Sequence, residues 1–237
     1  MFRLPIAALS GGLSLCAPAQ AATVVLWPVD PVIRDGQSAA AVWLENKGEE
    51  DVVLQIRCLD WRQGRGEDDL SVQDGIVASP PLARVAPGKR QMVRLIRRAP
   101  TASPGEQPLR VLVDELPTPV AANAPAVAGA RLAVQMRYSI PLFVYGDRSG
   151  TLTPNLRFRT VVVEGQRFVE IVNDGGQHAR LTDLAAVTPS GTVPLHAGLA
   201  GYVLAGAAMR WRLPVDVPFR TLVAGVNGEQ QSITPFT

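Results

Sequence analysis

Between Arg131 and Tyr145 the chain reads Arg-Leu-Ala-Val-Gln-Met-Arg-Tyr-Ser-Ile-Pro-Leu-Phe-Val-Tyr. Every second residue from Leu132 is large and mostly apolar: Leu132, Val134, Met136, Tyr138 and Ile140. The intervening series is Arg131, Ala133, Gln135, Arg137 and Ser139. Successive side chains of a strand point to opposite faces, so one face carries bulky groups and the other polar ones. The alternation outlasts the roughly five or six residues of a typical strand. Pro141 removes a backbone donor, which predicts that the far end of the strand stays out of the middle of a sheet. Periodicity alone is also met by an ordinary core strand. At a sheet edge, however, a long strand with one apolar face invites pairing with another chain unless something covers it or uses it.

The N-terminus is a secretory signal peptide. Arg3 is a short basic region, Ile6 to Leu15 is apolar and small, and Ala19-Gln20-Ala21 is a cleavage signal. Cys16 would suit a lipoprotein signal, but the residue before a lipidated Cys is normally small and Leu15 is not. Residues 1–22 are therefore set aside, with cleavage near Ala21 and a periplasmic destination. Of 23 Lys and Arg and 21 Asp and Glu, cleavage removes Arg3 alone and leaves a net charge of +1. That balance argues against nucleic-acid binding. Cleavage also leaves Cys58 as the single cysteine, so no internal disulfide forms and Cys58 reads as a small buried hydrophobe. No charge-free window after the N-terminus is long enough for a membrane span.

Gly and Pro are abundant and aromatics few, which fits short strands joined by turns. Strands are predicted at Ala40–Glu45, Val52–Leu59, Gln91–Arg97 and Leu109–Leu116, and then at 155–163, 167–173, 180–188, 201–204, 208–213 and 220–226. Arg62 to Asp69 and Ala99 to Pro108 read as loops, and Pro117 to Ala130 as a charge-free connection. Gly146 to Gly150 reads as a turn between domains. The expected class is all-β, with two β-sandwiches in series, residues 23–145 and 146–237.

In order along the first of these come Asp35-Gly36, Ala78-Ser79-Pro80-Pro81, Arg84-Val85-Ala86-Pro87-Gly88, Met92-Val93-Arg94-Leu95, Asp114-Glu115-Leu116-Pro117 and the alternating strand closing on Ile140-Pro141-Leu142-Phe143. That series resembles the periplasmic pilus-assembly chaperones of the chaperone–usher pathway. The resemblance implies two immunoglobulin-like domains set at an angle, boomerang-like, with a cleft between them. It also implies partners: pilin subunits, and an outer-membrane usher that receives them. A pilin is similar to an immunoglobulin sandwich lacking its last strand, and the chaperone lends an edge strand to fill the groove. This donor-strand complementation is a case of β-augmentation that general accounts of peptide recognition already include. The donor strand is expected at 131–141, with Leu132, Val134, Met136, Tyr138 and Ile140 in the groove.

One departure from the family places the chain nearer its archaic, Csu-like and spore-coat-protein-U-associated branch. The family grips the subunit's terminal carboxylate with two basic residues in the cleft, and the matching positions here are Pro31 and Pro141. Arg84 and Arg94 are the candidate anchors, because a planar guanidinium binds a carboxylate bidentately. Arg94 has two other readings, an ion pair with Glu115 or a solvated sheet face. The resemblance also implies that Glu115 helps to set the domain angle, with its usual basic partner replaced by Tyr145.

Nothing points to catalysis or to a cofactor. His178 and His196 are the two histidines, neither has metal-ligand spacing, and both read as surface residues. There is no G-x-S-x-G elbow, P-loop or G-x-G-x-x-G. Glu67-Asp68-Asp69 reads as a solvated loop, and Trp43 and Trp211 as core. The competing functions are an exported structural pilin or adhesin and a stand-alone immunoglobulin-like binding module. Self-association through the open edge is a further expectation.

Overall fold

The computed structural model describes residues 24–98, 105–117, 135–146, 152–213 and 218–236. The first ten strands are β1 (Val24–Trp27), β2 (Val32–Ile33), β3 (Ala39–Asn46), β4 (Val52–Gly64), β5 (Glu67–Val72), β6 (Ile76–Ser79), β7 (Leu82–Val85), β8 (Arg90–Arg97), β9 (Glu106–Leu116) and β10 (Arg137–Tyr145). They form two sheets. One runs β1-β3-β8-β6, and the other runs β2-β10-β9-β4-β5 with β7 also on β4. Inward residues of both, such as Leu44, Leu54, Leu95, Val111 and Leu142, make one core. Cys58 lies in it, and burial pushes its thiol up to about 12.

Two predicted loops contribute residues to strands. Arg62 to Asp69 holds only a tight turn, at Arg65 and Gly66, and β4 and β5 pair on either side of it. The polar run was misleading because all of β5 faces solvent, so it shows no apolar alternation. Likewise Glu106, Gln107 and Pro108 belong to β9 and pair with the end of β10. The Gly146–Gly150 turn and the Pro117–Ala130 connection lie almost wholly outside the described residues. Trp43 is 36% exposed and thus not core, because Val42 and Leu44 take the inward positions on either side of it.

β10 also runs further than its proline suggested. It pairs with β9 from Arg137 to Tyr145, and at Phe143 and Val144 it also meets β2 in parallel. Its far end is therefore flanked on both sides, contrary to expectation. The reason is the direction of the missing donor. Phe143 N–H donates toward Pro31 O, 3.4 Å away on the β2 side. Backbone groups repeat every second residue along a strand, so Pro141 lacks a donor only on that same side. It sits just before the stretch that β2 covers, and no ladder bond is lost.

The second half comprises β11 (Leu156–Val163), β12 (Gln166–Asn173), β13 (Ala179–Thr188), β14 (Gly191–Val203), β15 (Ala208–Arg212), β16 (Thr221–Val226) and β17 (Glu229–Pro235). Their order is β14-β13-β16-β17-β11-β12-β15. β17 is antiparallel to β16 and then, at its last residues, parallel to β11. It thus passes from one layer to the other, and β14 meets β12 and β15 to close a second sandwich. Its core holds Val169, Ile171, Leu181, Leu184 and Leu222, with Trp211 packed against it. β17 and most of β14 escaped the sequence reading, because β17 buries only Ile233 and β14 is largely exposed.

Candidate functional site

Among the described residues, no strand pairs with β10 on its β2 side along its first half. Arg137, Ser139 and Pro141 direct their backbone groups to this side by the same alternation that carries Phe143 N–H to β2. Of the five residues expected to form the apolar row, Leu132 and Val134 lie outside the described residues. Met136 is half-buried, Tyr138 is half-buried against the first core, and Ile140 is within it. These three share the inward side of an edge strand, where a second chain added to the edge would continue the core. Burial pushes the Tyr138 phenol up, with the Val24 backbone pulling against it and Glu115 adding to the rise. Edge strand β1 thus lies beside the opening.

The start of β10 is pinned from its outward face. Asp114 accepts hydrogen bonds from Arg137 Nε and, at 2.7 Å, from Arg57 Nη2. One carboxylate so ties β10, β9 and β4 together. Burial pushes the Asp114 carboxyl up, but the Arg137 and Arg57 hydrogen bonds outweigh it and hold it below the usual range.

The two candidate anchors do not converge. Arg84 projects from the outer face of β7 and pairs with Asp51 at 3.5 Å. Arg94 projects from the outer face of β8, in the opposite sheet, and makes no ion pair among the described residues. Glu115 pairs with neither; burial pushes its carboxyl up, against a pull from the Met136 backbone.

The carboxylate that joins the two sandwiches is Glu106, not Glu115. Its side chain is 1% exposed. Glu106 Oε1 accepts the His178 backbone N–H at 2.9 Å, and Oε2 lies 2.8 Å from His178 Nδ1. Tyr145 Oη also donates to Oε2 at 2.8 Å. The His178 ring stacks on Phe143, with centroids 3.5 Å apart and planes 2° apart. His178 is therefore an interdomain residue rather than a surface one, whereas His196 is exposed as expected. Tyr145, expected in place of a basic partner of Glu115, bonds Glu106 instead, and His178 supplies a nitrogen to the same carboxylate from the other sandwich.

Beside this contact, Trp61, Phe143, Tyr145, Tyr202 and Leu204 form a third cluster. Arg110 lies over Trp61 at 3.6 Å and pairs with Asp68 at 3.7 Å, so the acidic run at 67–69 is partly engaged. Burial draws Arg110 down, opposed by Asp68. Gln63 caps the joint, donating to Tyr202 O at 2.9 Å and accepting Leu204 N–H at 2.8 Å. The β4–β5 turn packs on the second sandwich. A Cβ on Gly66 would meet Arg210 at 2.6 Å, and Arg210 donates to Arg65 O at 2.8 Å. An open cleft of about 610 Å³ borders the joint, with Arg34 and Arg180 exposed on its wall.

Comparison with known proteins accounts for this arrangement. Residues 24–147, just over half of the chain, match the family described as pili and flagellar-assembly chaperones, PapD N-terminal domain. The structure is similar to one in the chaperone–tip adhesion subunit pre-assembly complex of CsuC and CsuE, from the archaic chaperone–usher Csu pili of Acinetobacter baumannii. That match has a TM-score of 0.73 and 31% identity and covers 91% of this chain and 100% of the other. The fold is also that found in the Salmonella enterica complex of the SafA pilin with the SafB chaperone (TM-score 0.63, 16% identity, 92% and 97% covered). The YadV chaperone shares it too (TM-score 0.61, 16% identity, 90% and 98% covered). No curated protein matches the chain. The chain belongs to the pilus-assembly chaperones of the chaperone–usher pathway, with its resemblance running to the archaic branch.

Two outcomes follow from the clamp and the joint. Asp114→Asn should cost about 1 kcal/mol, because its two arginines are partly exposed and water screens them. The Asp114 carboxyl is held low in the folded state. Its contribution is therefore complete above the ordinary carboxylate range and is lost as pH falls through the folded value. Urea unfolding across acid pH should show a wild-type decline that the Asn variant lacks, and parallel curves would refute the clamp. His178→Ala leaves Glu106 buried with Tyr145 as its remaining side-chain partner, a cost of roughly 2 kcal/mol at the joint. Small-angle scattering should then show a broader spread of interdomain distances. An unchanged profile would mean that the joint holds without this contact.

Proposed function

We propose that the protein is a periplasmic chaperone that binds and caps pilin subunits by donor-strand complementation and delivers them to an outer-membrane usher. The observation that carries this is the half-open strand. β10 has a complete neighbour on one side, a two-residue neighbour on the other, and an inward apolar row along the uncovered part. A subunit groove laid against that edge gains backbone hydrogen bonds and a continued core at once. Leu132, Val134, Met136, Tyr138 and Ile140 are the proposed groove residues. Each well-buried large side chain contributes roughly 1.5–3 kcal/mol.

In this reading residues 1–22 are removed near Ala21, and residues 23–145 and 146–237 are the two domains. The chain works by binding and not by catalysis. Without a subunit, the same edge pairs two copies at high concentration. Of the basic residues available to a subunit's terminal carboxylate, Arg34 and Arg180 face the cleft, whereas Arg84 and Arg94 stand on outer faces. We place the anchor at the cleft pair.

The test is a periplasmic pull-down with the subunits encoded beside the chaperone. Wild-type protein should retain a small β-rich partner, and the triple variant Val134→Asp, Met136→Asp, Tyr138→Asp should release it while staying folded by circular dichroism. Undiminished capture by that variant would remove the donor strand from this segment. Arg34→Glu with Arg180→Glu should weaken capture about tenfold or more, as expected for the loss of charge-assisted hydrogen bonds. An unchanged affinity would send the anchor back to Arg84 or Arg94.

A further inference from the structure

The two sandwiches touch in two separate places. In the first, Glu106, Phe143 and Tyr145 meet His178 and Tyr202, with Gln63 on Tyr202 and Leu204. His178 and Leu204 lie at adjoining ends of the paired strands β13 and β14, so these contacts gather at one end of one layer. The second place is the tip of the β4–β5 hairpin. It reaches β15, which belongs with β12 to the other layer. Contacts collected at one end of one layer fix a distance but leave the second sandwich free to rock. A contact on the opposite layer removes that freedom.

The tip is shaped for this contact. β4 pairs with β9 only as far as Asp60, and its continuation from Trp61 to Gly64 pairs with β5 alone. Arg65 and Gly66 both have positive φ, 56° and 84°, as a two-residue type I′ turn requires. Gly66 and Met209 form a parallel backbone bridge. The Arg65 carbonyl accepts Arg210 Nη1–H at 2.8 Å. A Cβ on Gly66 would stand 2.6 Å from Arg210 Cγ and Cδ, so the glycine is what lets the arginine lie across the turn.

Arg210 is aimed from its other side. Glu170 of β12 stands directly opposite it, and the glutamate side chain is 4% exposed. Glu170 Oε1 accepts Arg210 Nε–H and Nη2–H at 3.2 and 3.1 Å, and Oε2 accepts Arg159 Nε–H at 2.7 Å. A guanidinium is a rigid planar fork. With the Nε–Nη2 edge held by one carboxylate, the remaining nitrogen has a single direction, which ends on Arg65 O. Arg159 alone would neutralise Glu170. A second arginine on that carboxylate, reaching beyond its own sandwich, is explained by what it grips.

We propose that Arg210, aimed by Glu170, is the positioning residue that sets the angle between the two sandwiches by gripping the β4–β5 turn. The consequence for binding rests on the chaperone reading above. Arg34 belongs to the first sandwich and Arg180 to the second, and both line the cleft. The angle therefore fixes their separation, and with it the fit of a subunit that touches both.

The experiment measures the interdomain distance in the mature protein by pulsed electron resonance, with spin labels on Leu82→Cys and Val162→Cys, two exposed positions. Cys58 is buried with its thiol pushed up to about 12, so it stays unlabelled. The otherwise unchanged protein should give one narrow distance distribution. Arg210→Lys keeps a cation on Glu170 but replaces the fork by a single nitrogen. It should broaden the distribution about twofold or more while circular dichroism stays unchanged. Gly66→Ala keeps the Glu170–Arg210 pair and displaces the turn, and should broaden it similarly. Because the two changes break one contact, the double variant should be no broader than either single one. An Arg210→Lys distribution as narrow as that of the unchanged protein overturns the proposal, as does additive broadening in the double variant. Subunit capture by Arg210→Lys should weaken about threefold or more, since only a fraction of the broadened ensemble presents both cleft arginines at once. Undiminished capture alongside broadening overturns the consequence for binding. If the unchanged protein captures no subunit at all, the chaperone reading fails, whereas the distance distributions judge the Arg210 contact by themselves.

Discussion

The structure turns on a strand that is only half paired. Backbone N–H and C=O groups left without partners at a sheet edge cost free energy or attract another chain. In β10 the cost is confined to the first half, since β2 takes over at Phe143 and Val144. Pro141 stands at the change between the two regimes. It lacks a donor only where a donor would have pointed into the opening, so pairing with β9 continues through it and Ile140 and Leu142 on either side both reach the core. The same residue therefore closes the open stretch and lets the strand continue into the joint.

β10 also links the open edge to domain geometry. Its even-numbered side chains, Tyr138 to Val144, face the first core, while Phe143 and Tyr145 face the second sandwich. Asp114 grips its beginning and Glu106 its end, both from β9. The paired β9 and β10 thus run from the open edge to the interdomain contact. Whatever pairs with the edge is positioned relative to the cleft by covalent continuity rather than by a flexible linker.

The faces of several strands in the first sandwich were legible in the sequence. Strand alternation put Leu109, Val111 and Val113 inside and separated Asp114 from Glu115, and both hold. Cys58 was legible as a buried hydrophobe for the same reason. Other residues were misplaced by their chemistry. His178 looked like a surface residue because it follows a Gly-rich turn, yet its ring is covered by Phe143. Trp43 looked like core because it is large, although the period-two pattern of its own strand already turned it outward.

The sequence by itself determined which residues lie on the same side of each strand, because that follows from backbone pleating alone. It thereby determined that this is an all-β chain with one unusually long apolar row ending at a proline, and the family resemblance rested on that strand together with the short motifs that precede it in order. Only the tertiary structure decided which sheet edge stays open, which glutamate bridges the domains and which tryptophans face water. Those outcomes depend on pairings between distant segments, such as Glu106 with His178, 72 residues away. Local periodicity is blind to such pairings, since it specifies a residue's face but not what that face will meet.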